Sequence, residues 1–301
     1  MQPVLKNKNL ILFFLLCGFV CHSQTEEQKK QLSLYEDSLK KIQKDIFKAK
    51  NDGLKRLAGQ QFGDIVERAL NVENSFNFPF DSLKDVARLV SPDKKLRIIN
   101  WNLPLDDGTH EYYGYIQAYN AKTKKYDVFK LVDRSADVRN PETYTSDHSK
   151  WYGMLYYKII LGKINKKPVY TLLAWDGNDK ISNKKIIDVL SFNSNGVPQF
   201  GMDIFKMEKR SPKRVVFEFV KDASMSLKYD EKKNRIIFDH LAPPDESLKG
   251  QFQFYGPDFS FDGLKFEKGF WIYIRDIDAR NEKNKKDDTY IDPKGDKTPI
   301  K

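Results

Sequence analysis

Two apolar runs set back to back decide the fold. The first is Trp151-Tyr152-Gly153-Met154-Leu155-Tyr156-Tyr157-Lys158-Ile159-Ile160-Leu161-Gly162-Lys163, and the second is Pro168-Val169-Tyr170-Thr171-Leu172-Leu173-Ala174-Trp175-Asp176. Between them stands the polar turn Asn165-Lys166-Lys167. A connection this short joins antiparallel neighbours, because parallel strands need a long crossover. The same logic extends from Lys95 to Asp278. In Ser224 to Tyr229, Met225, Leu227 and Tyr229 share one face while Ser224, Ser226 and Lys228 share the other. Trp271-Ile272-Tyr273-Ile274 alternates aromatic with aliphatic, so both of its faces suit burial.

Turn signals punctuate these runs. Asp107-Gly108 predicts a hairpin between strands near 96–105 and 110–119. Asn195-Gly196, Lys232-Lys233-Asn234 and Lys268-Gly269 mark three more turns. The expected fold class is α+β: N-terminal helices, then a large antiparallel β-sheet domain of about ten strands. A twisted sheet, a sandwich and a barrel all accommodate that strand list. Tyr112-Tyr113-Gly114-Tyr115-Ile116 resembles Trp151-Tyr152-Gly153-Met154-Leu155, 39 positions on, a spacing that suits a propeller blade.

Upstream the period changes. Leu32, Leu34, Leu39, Ile42, Ile46 and Phe47 recur at helical spacing, and Asn51-Asp52-Gly53 interrupts them. A second amphipathic stretch runs through Leu54, Leu57, Ile65, Val66 and Leu70. Ser82-x-x-Asp85 has the form of a capping box, which predicts a third short helix ending before Pro92.

The chain opens with Lys6 and Lys8, an apolar run from Leu10 to Val20, and Cys21-His22-Ser23-Gln24. That is the plan of a secretory signal, too short to span a bilayer comfortably. Cleavage is expected after Ser23, leaving about 278 residues. The two cysteines, Cys17 and Cys21, would then both be lost, and with them any disulfide or thiolate site. Lipidation at Cys21 is the competing outcome, disfavoured by Val20 immediately before it. The expected plan is 1–23 signal peptide, 24–92 helical N-terminal region, 93–278 antiparallel β domain and 279–301 disordered charged tail. The location is periplasmic or extracellular, with no transmembrane helix after signal removal.

The formal charge is +10. Its lysines are scattered through turns and tail rather than clustered with aromatics, so nucleic acid is not an expected partner.

Three phrases stand out: Trp101-Asn102-Leu103-Pro104-Leu105-Asp106-Asp107-Gly108-Thr109-His110, Leu172-Leu173-Ala174-Trp175-Asp176-Gly177-Asn178-Asp179, and Gln253-Phe254-Tyr255-Gly256-Pro257-Asp258-Phe259. Together they resemble a group of uncharacterised exported proteins of Bacteroidota, over about 95–280. The resemblance implies an exported protein of the bacterial envelope and carries no activity with it.

Catalytic signatures are sparse. His110-Glu111 begins like a zinc-protease helix, but Gly114 stands where the second histidine is needed. There is no G-x-S-x-G, no P-loop and no dinucleotide fingerprint, so neither cofactor nor metal is expected. Asp106, Asp107, Asp239, Asp245, Asp258 and Asp262 are the candidate carboxylates for glycoside hydrolysis, which needs a pair about 5–9.5 Å apart. Trp175-Asp176-Gly177-Asn178-Asp179 has oxygen ligands suited to calcium, yet the same residues make an ordinary tight turn. Tyr113, Tyr115 and Tyr119 share one strand face with Gln117, which suits either a glycan or protein partner, or packing beneath the helices. Tyr113, Tyr115, Trp175, Asp176 and Asp179 are therefore the candidate binding residues. The expectation is a non-enzymatic binding protein for a partner protein or glycan. The alternative is a hydrolase acting on an envelope or extracellular glycan through an Asp/His site.

Overall fold

Thr25 starts the first helix of the computed structural model, which describes residues 24–278. Its side chain accepts from the Gln28 amide at 3.2 Å, and the Gln28 side chain accepts from the Thr25 amide at 3.0 Å. This reciprocal box satisfies two otherwise orphaned donors of α1 (Glu26–Lys48). Asn51 caps α2 (Asp52–Leu70) with a single bond, accepting from the Leu54 amide at 2.9 Å. Signal, cleavage site, Cys21 and the charged tail fall within 1–23 and 279–301, outside the described residues. No described helix is long and apolar enough to cross a membrane.

Fifteen strands follow among the described residues, in three sheets. The first sheet has the order β1 (Ala87–Val90), β2 (Leu96–Pro104), β3 (His110–Asn120), β4 (Lys125–Val132). The second contains β5 (Ser146–Asp147), β6 (Leu155–Ile164), β7 (Lys167–Asp176), β8 (Ser182–Phe192) and β9 (Pro198–Phe200), with β11 (Val215–Val220) also paired to β8. The third has the order β10 (Phe205–Lys206), β15 (Phe270–Ile274), β14 (Gly256–Glu267), β13 (Arg235–Ala242), β12 (Leu227–Asp230). All pairings between these strands are antiparallel except β10 with β15.

Alternation along the strands stacks these sheets. Ile99, Trp101, Leu103 and Tyr115 of the first sheet pack with Leu32 and Leu39 of α1 and Phe62 and Val66 of α2. Its opposite face, Leu96, Ile98, Tyr112 and Ile116, packs on Tyr156, Leu172, Ala174 and Ile186 of the second. The other face of the second, Leu173, Ile187, Val189 and Phe219, packs on Leu227, Ile236, Leu264 and Trp271 of the third. The order of layers is helices, first sheet, second sheet, third sheet. Burial of both faces explains why β6 and β7 read as near-continuous apolar runs.

A buried ion pair ties the second sheet together. Asp188 of β8 and Arg214, just before β11, are both fully buried, with Nη2 to Oδ2 at 3.0 Å. Arg214 Nη1 also donates to the Pro141 carbonyl at 2.9 Å.

Three expectations are corrected. The segment after Ser82 is not a helix: the Ser82 amide donates to Glu36 of α1 at 2.7 Å, and Ala87–Val90 pairs with β2. Pro92 sits in the turn of that hairpin rather than beyond a helix. The buried stripe of α2 includes the expected Val66 and Leu70 but departs from the expectation in the first turns. Leu54 and Leu57 are 48% and 53% exposed, while Ala58, Gly59, Phe62, Gly63, Val66 and Ala69 face the sheet. A Cβ at Gly59 would lie 2.7 Å from the end of the Leu103 side chain, so α2 approaches the sheet closely there. The repeated Tyr112 and Trp151 phrases do not form blades, because β3 and the segment before β6 belong to different stacked sheets.

Candidate functional site

The two sequence-marked loops, Asp107-Gly108 and Trp175 to Asp179, come together at one end of the first and second sheets. Trp175 meets His110 edge-on, with ring centroids 5.3 Å apart. A Cβ on Gly177 would lie 2.2 Å from His110 Nε2, so the imidazole rests directly on the glycine. Tyr112 Oη donates to the buried Asp176 carboxylate at 2.8 Å and accepts from the Gly177 amide at 2.8 Å. Burial, reinforced by the Asp176 charge, pushes the Tyr112 hydroxyl far above its ordinary range and keeps it a donor. Burial pushes the His110 imidazole down, with Lys221 adding to the effect and Asp176 opposing it.

The aspartates of this loop serve its own backbone. Asp176 accepts from the Asn178 amide at 2.8 Å, and Asp179 accepts from the amides of Ile181 at 2.7 Å and Ser182 at 2.9 Å. Lys221 Nζ donates to the Gly177 carbonyl at 2.7 Å, placing a cation where a second one would be repelled. The geometry is that of a tight turn. Among the described residues no group of three or more His, Cys, Asp or Glu side chains is arranged to hold a metal.

Tyr113 and Tyr115 lie beneath the helices. Tyr115 is buried and donates to the Gly63 carbonyl of α2 at 3.0 Å; both tyrosines stack on Trp101. Gln117 on the same face is buried against Arg97. Only Tyr119, at the strand end, is exposed.

A second place has the shape of a binding site. A cleft of about 730 Å3 opens between β11 of the second sheet and the end of β13 in the third. Phe217 and Phe238 form its floor, with centroids 4.6 Å apart. Phe252, 56% exposed, and Tyr255 form one lip, with centroids 5.1 Å apart. The segments around Glu142 and Arg210 form the other lip, joined by an ion pair between those two residues. A wider depression of about 870 Å3 between α1 and α2 has mostly polar helix-surface walls and only Tyr35 as an aromatic.

Two of the six aspartates flagged in the sequence, Asp239 and Asp262, line this cleft, and a third, Asp258, meets it through His240. Asp239 accepts from the Ser226 amide at 2.8 Å, Asp262 accepts from Tyr273 Oη at 2.6 Å, and Asp258 holds His240 Nδ1 at 2.8 Å. Burial alone raises the Asp258 carboxyl, and bonds from Ser260 and His240 outweigh it, leaving it below its ordinary value. The other three lie elsewhere: Asp106 pairs with Lys55, Asp107 caps Thr109, and Asp245 caps Ser247. His240 sits at a bulge, where Asp239 pairs with Phe261 but Leu241 pairs with Pro257. The bulge tip is Phe259, 95% exposed with φ 69°.

Sequence reading did not find Phe217, Glu218, Glu142 or Arg210. Their only signal was the third distinctive phrase, which supplies Tyr255 to the cleft wall and Asp258 as the partner of His240. No protein-family model, curated protein or solved structure matches this chain.

Proposed function

We propose that the protein is an exported binding protein of the bacterial envelope or extracellular space, and that its ligand occupies the cleft between β11 and β13. One observation carries the reading. The cleft has an aromatic floor and lip, while its carboxylates already accept hydrogen bonds from the protein's own chain. Glu142 takes the Val216 amide at 3.2 Å and pairs with Arg210; Glu218 takes Ser182 Oγ at 2.6 Å. Such groups position surfaces for recognition. A general acid or nucleophile needs instead an oxygen free to meet substrate.

A hydrolase is the second reading, favoured by His240, which Asp258 orients at the cleft wall. The two separate in one experiment. The full chain is screened on a glycan array and a random-peptide library, beside chromogenic glycosidase and esterase substrates. The binding reading expects a ligand that Phe252→Arg fails to hold, and no turnover. Turnover abolished by His240→Ala would replace it with the hydrolase. Export is tested by intact mass of protein from the envelope fraction: a chain starting at Gln24 supports it, and an acylated Cys21 would make the protein lipid-anchored.

A further inference from the structure

Strand β11 carries an incomplete hydrogen-bond edge. It pairs with β8 in the register Val215↔Ile187 to Val220↔Ser182. The Lys221 amide donates to the Ile181 carbonyl at 2.8 Å, continuing that ladder. In an antiparallel pair, bonded and non-bonded residues alternate. Lys221, Phe219, Phe217 and Val215 therefore direct their backbone groups to β8, and Val220, Glu218 and Val216 direct theirs outward.

The outward groups at both ends are already met by the protein's own chain. The Val220 amide donates to the Tyr255 carbonyl at 2.9 Å, and the Val216 amide donates to the Glu142 carboxylate at 3.2 Å. Between them, the Val216 carbonyl and the amide and carbonyl of Glu218 have no hydrogen-bond partner among the described residues. Val216, Phe217 and Glu218 all line the cleft. Exposed edges are usually protected by charge, proline or a covering segment. Here two covering segments stop short of each other and leave a gap of one pairing repeat, walled by Phe217, Phe238 and Phe252.

We infer that the cleft takes an extended polypeptide segment, which adds to β11 as a further strand of the second sheet. The inference rests on the cleft being the ligand site and names the class of ligand. An extended peptide presents an N–H and a C=O at the spacing of Glu218, whereas a sugar ring has no repeat that matches it. An apolar side chain of the ligand would lie against Phe217 and Phe238. Toward the other lip, Arg139 and Lys209 have no ion pair among the described residues, so an acidic side chain complements that end.

The test begins with random linear peptides displayed on phage and panned on the full chain. An enriched sequence is synthesised, and its affinity is read by fluorescence anisotropy. Its backbone is then N-methylated one residue at a time. Strand addition expects loss of about tenfold or more at alternate residues and little change between them. Glu218→Pro removes the outward amide and leaves the β8 ladder intact, since proline is tolerated where the N–H faces away from the sheet. It should weaken the peptide by about tenfold beyond Glu218→Ala, which loses the same carboxylate but keeps the amide. N-methylation tolerated at every position overturns the inference whether or not the proline variant folds. A glycan lost in Phe252→Arg but retained by Glu218→Pro would also overturn it, and would leave the binding cleft standing. If no peptide or glycan is lost in Phe252→Arg, both readings fall.

Discussion

Replacing Arg214 by methionine removes the partner of a carboxylate that has no access to water. Asp188 and Arg214 are both 0% exposed and 3.0 Å apart, between the first and second sheets. A buried pair adds little over a well-packed apolar substitute, but breaking it strands the surviving charge at a cost of about 3–5 kcal/mol. Arg214 also holds the Pro141 carbonyl and stacks over Tyr152, with the guanidinium 5.3 Å from the ring centre. The loss should therefore fall at the upper end of that range. At about 2–4 °C per kcal/mol for a domain of this size, the melting temperature should drop by roughly 10–20 °C. Urea unfolding with linear extrapolation gives the free energy directly. Asp188→Leu combined with Arg214→Met should recover most of the loss, since no charge is left behind. A single-variant loss under about 1 kcal/mol, or a double variant as unstable as both singles summed, would refute the reasoning. The same arginine anchors the Pro141 segment at the cleft lip, so Arg214→Met should also weaken any cleft ligand.

Other consequences follow from the loop that holds Trp175 to Asp179 and from His110 beside it. His110 is held below its ordinary value of 6.5, so the folded state resists protonation. Its contribution is fully present above pH 6.5 and is lost as pH falls from there toward the depressed folded value. Urea melts at about pH 7.5 and about pH 5.5 should show a larger loss in the parent than in His110→Gln; equal losses would remove the claim. Calcium and chelator should leave the melting temperature unchanged, and Asp179→Ala should cost about 1 kcal/mol through its two lost amide bonds, as for a helix cap. A calcium-dependent rise abolished by Asp176→Ala and Asp179→Ala would make the loop a metal site instead. Gly177→Ala should cost about 1–3 kcal/mol, because the added methyl takes the place of the His110 ring. Full stability of that variant would show that the ring moves freely.

What the sequence made legible was what is encoded locally. Asn165-Lys166 and Lys268-Gly269 both adopt positive φ at two successive residues, the twist that two-residue hairpins require. Met225, Leu227 and Tyr229 do share the core face. The failures are all tertiary. Ser82 and Asp85 have capping chemistry, but Glu36 of α1 claims the Ser82 amide and β2 claims Ala87–Val90. The buried face of α2 is written in alanine and glycine, which a search for large apolar residues overlooks. Pairing of β11 with β8 skips β9 and β10, so hairpin logic does not reach it, and the cleft it borders was invisible for that reason. Asp188 and Arg214 each look like surface residues until the layers stack.

The most direct measurement is amide exchange at single-residue resolution across β11. In the free protein, the amides of Phe217 and Phe219 should be protected by the β8 ladder, and the Glu218 amide between them should exchange freely. Bound peptide should slow Glu218 and leave its two neighbours unchanged. A Glu218 amide equally protected in the free protein, or one unmoved by a peptide that binds, would contradict the account.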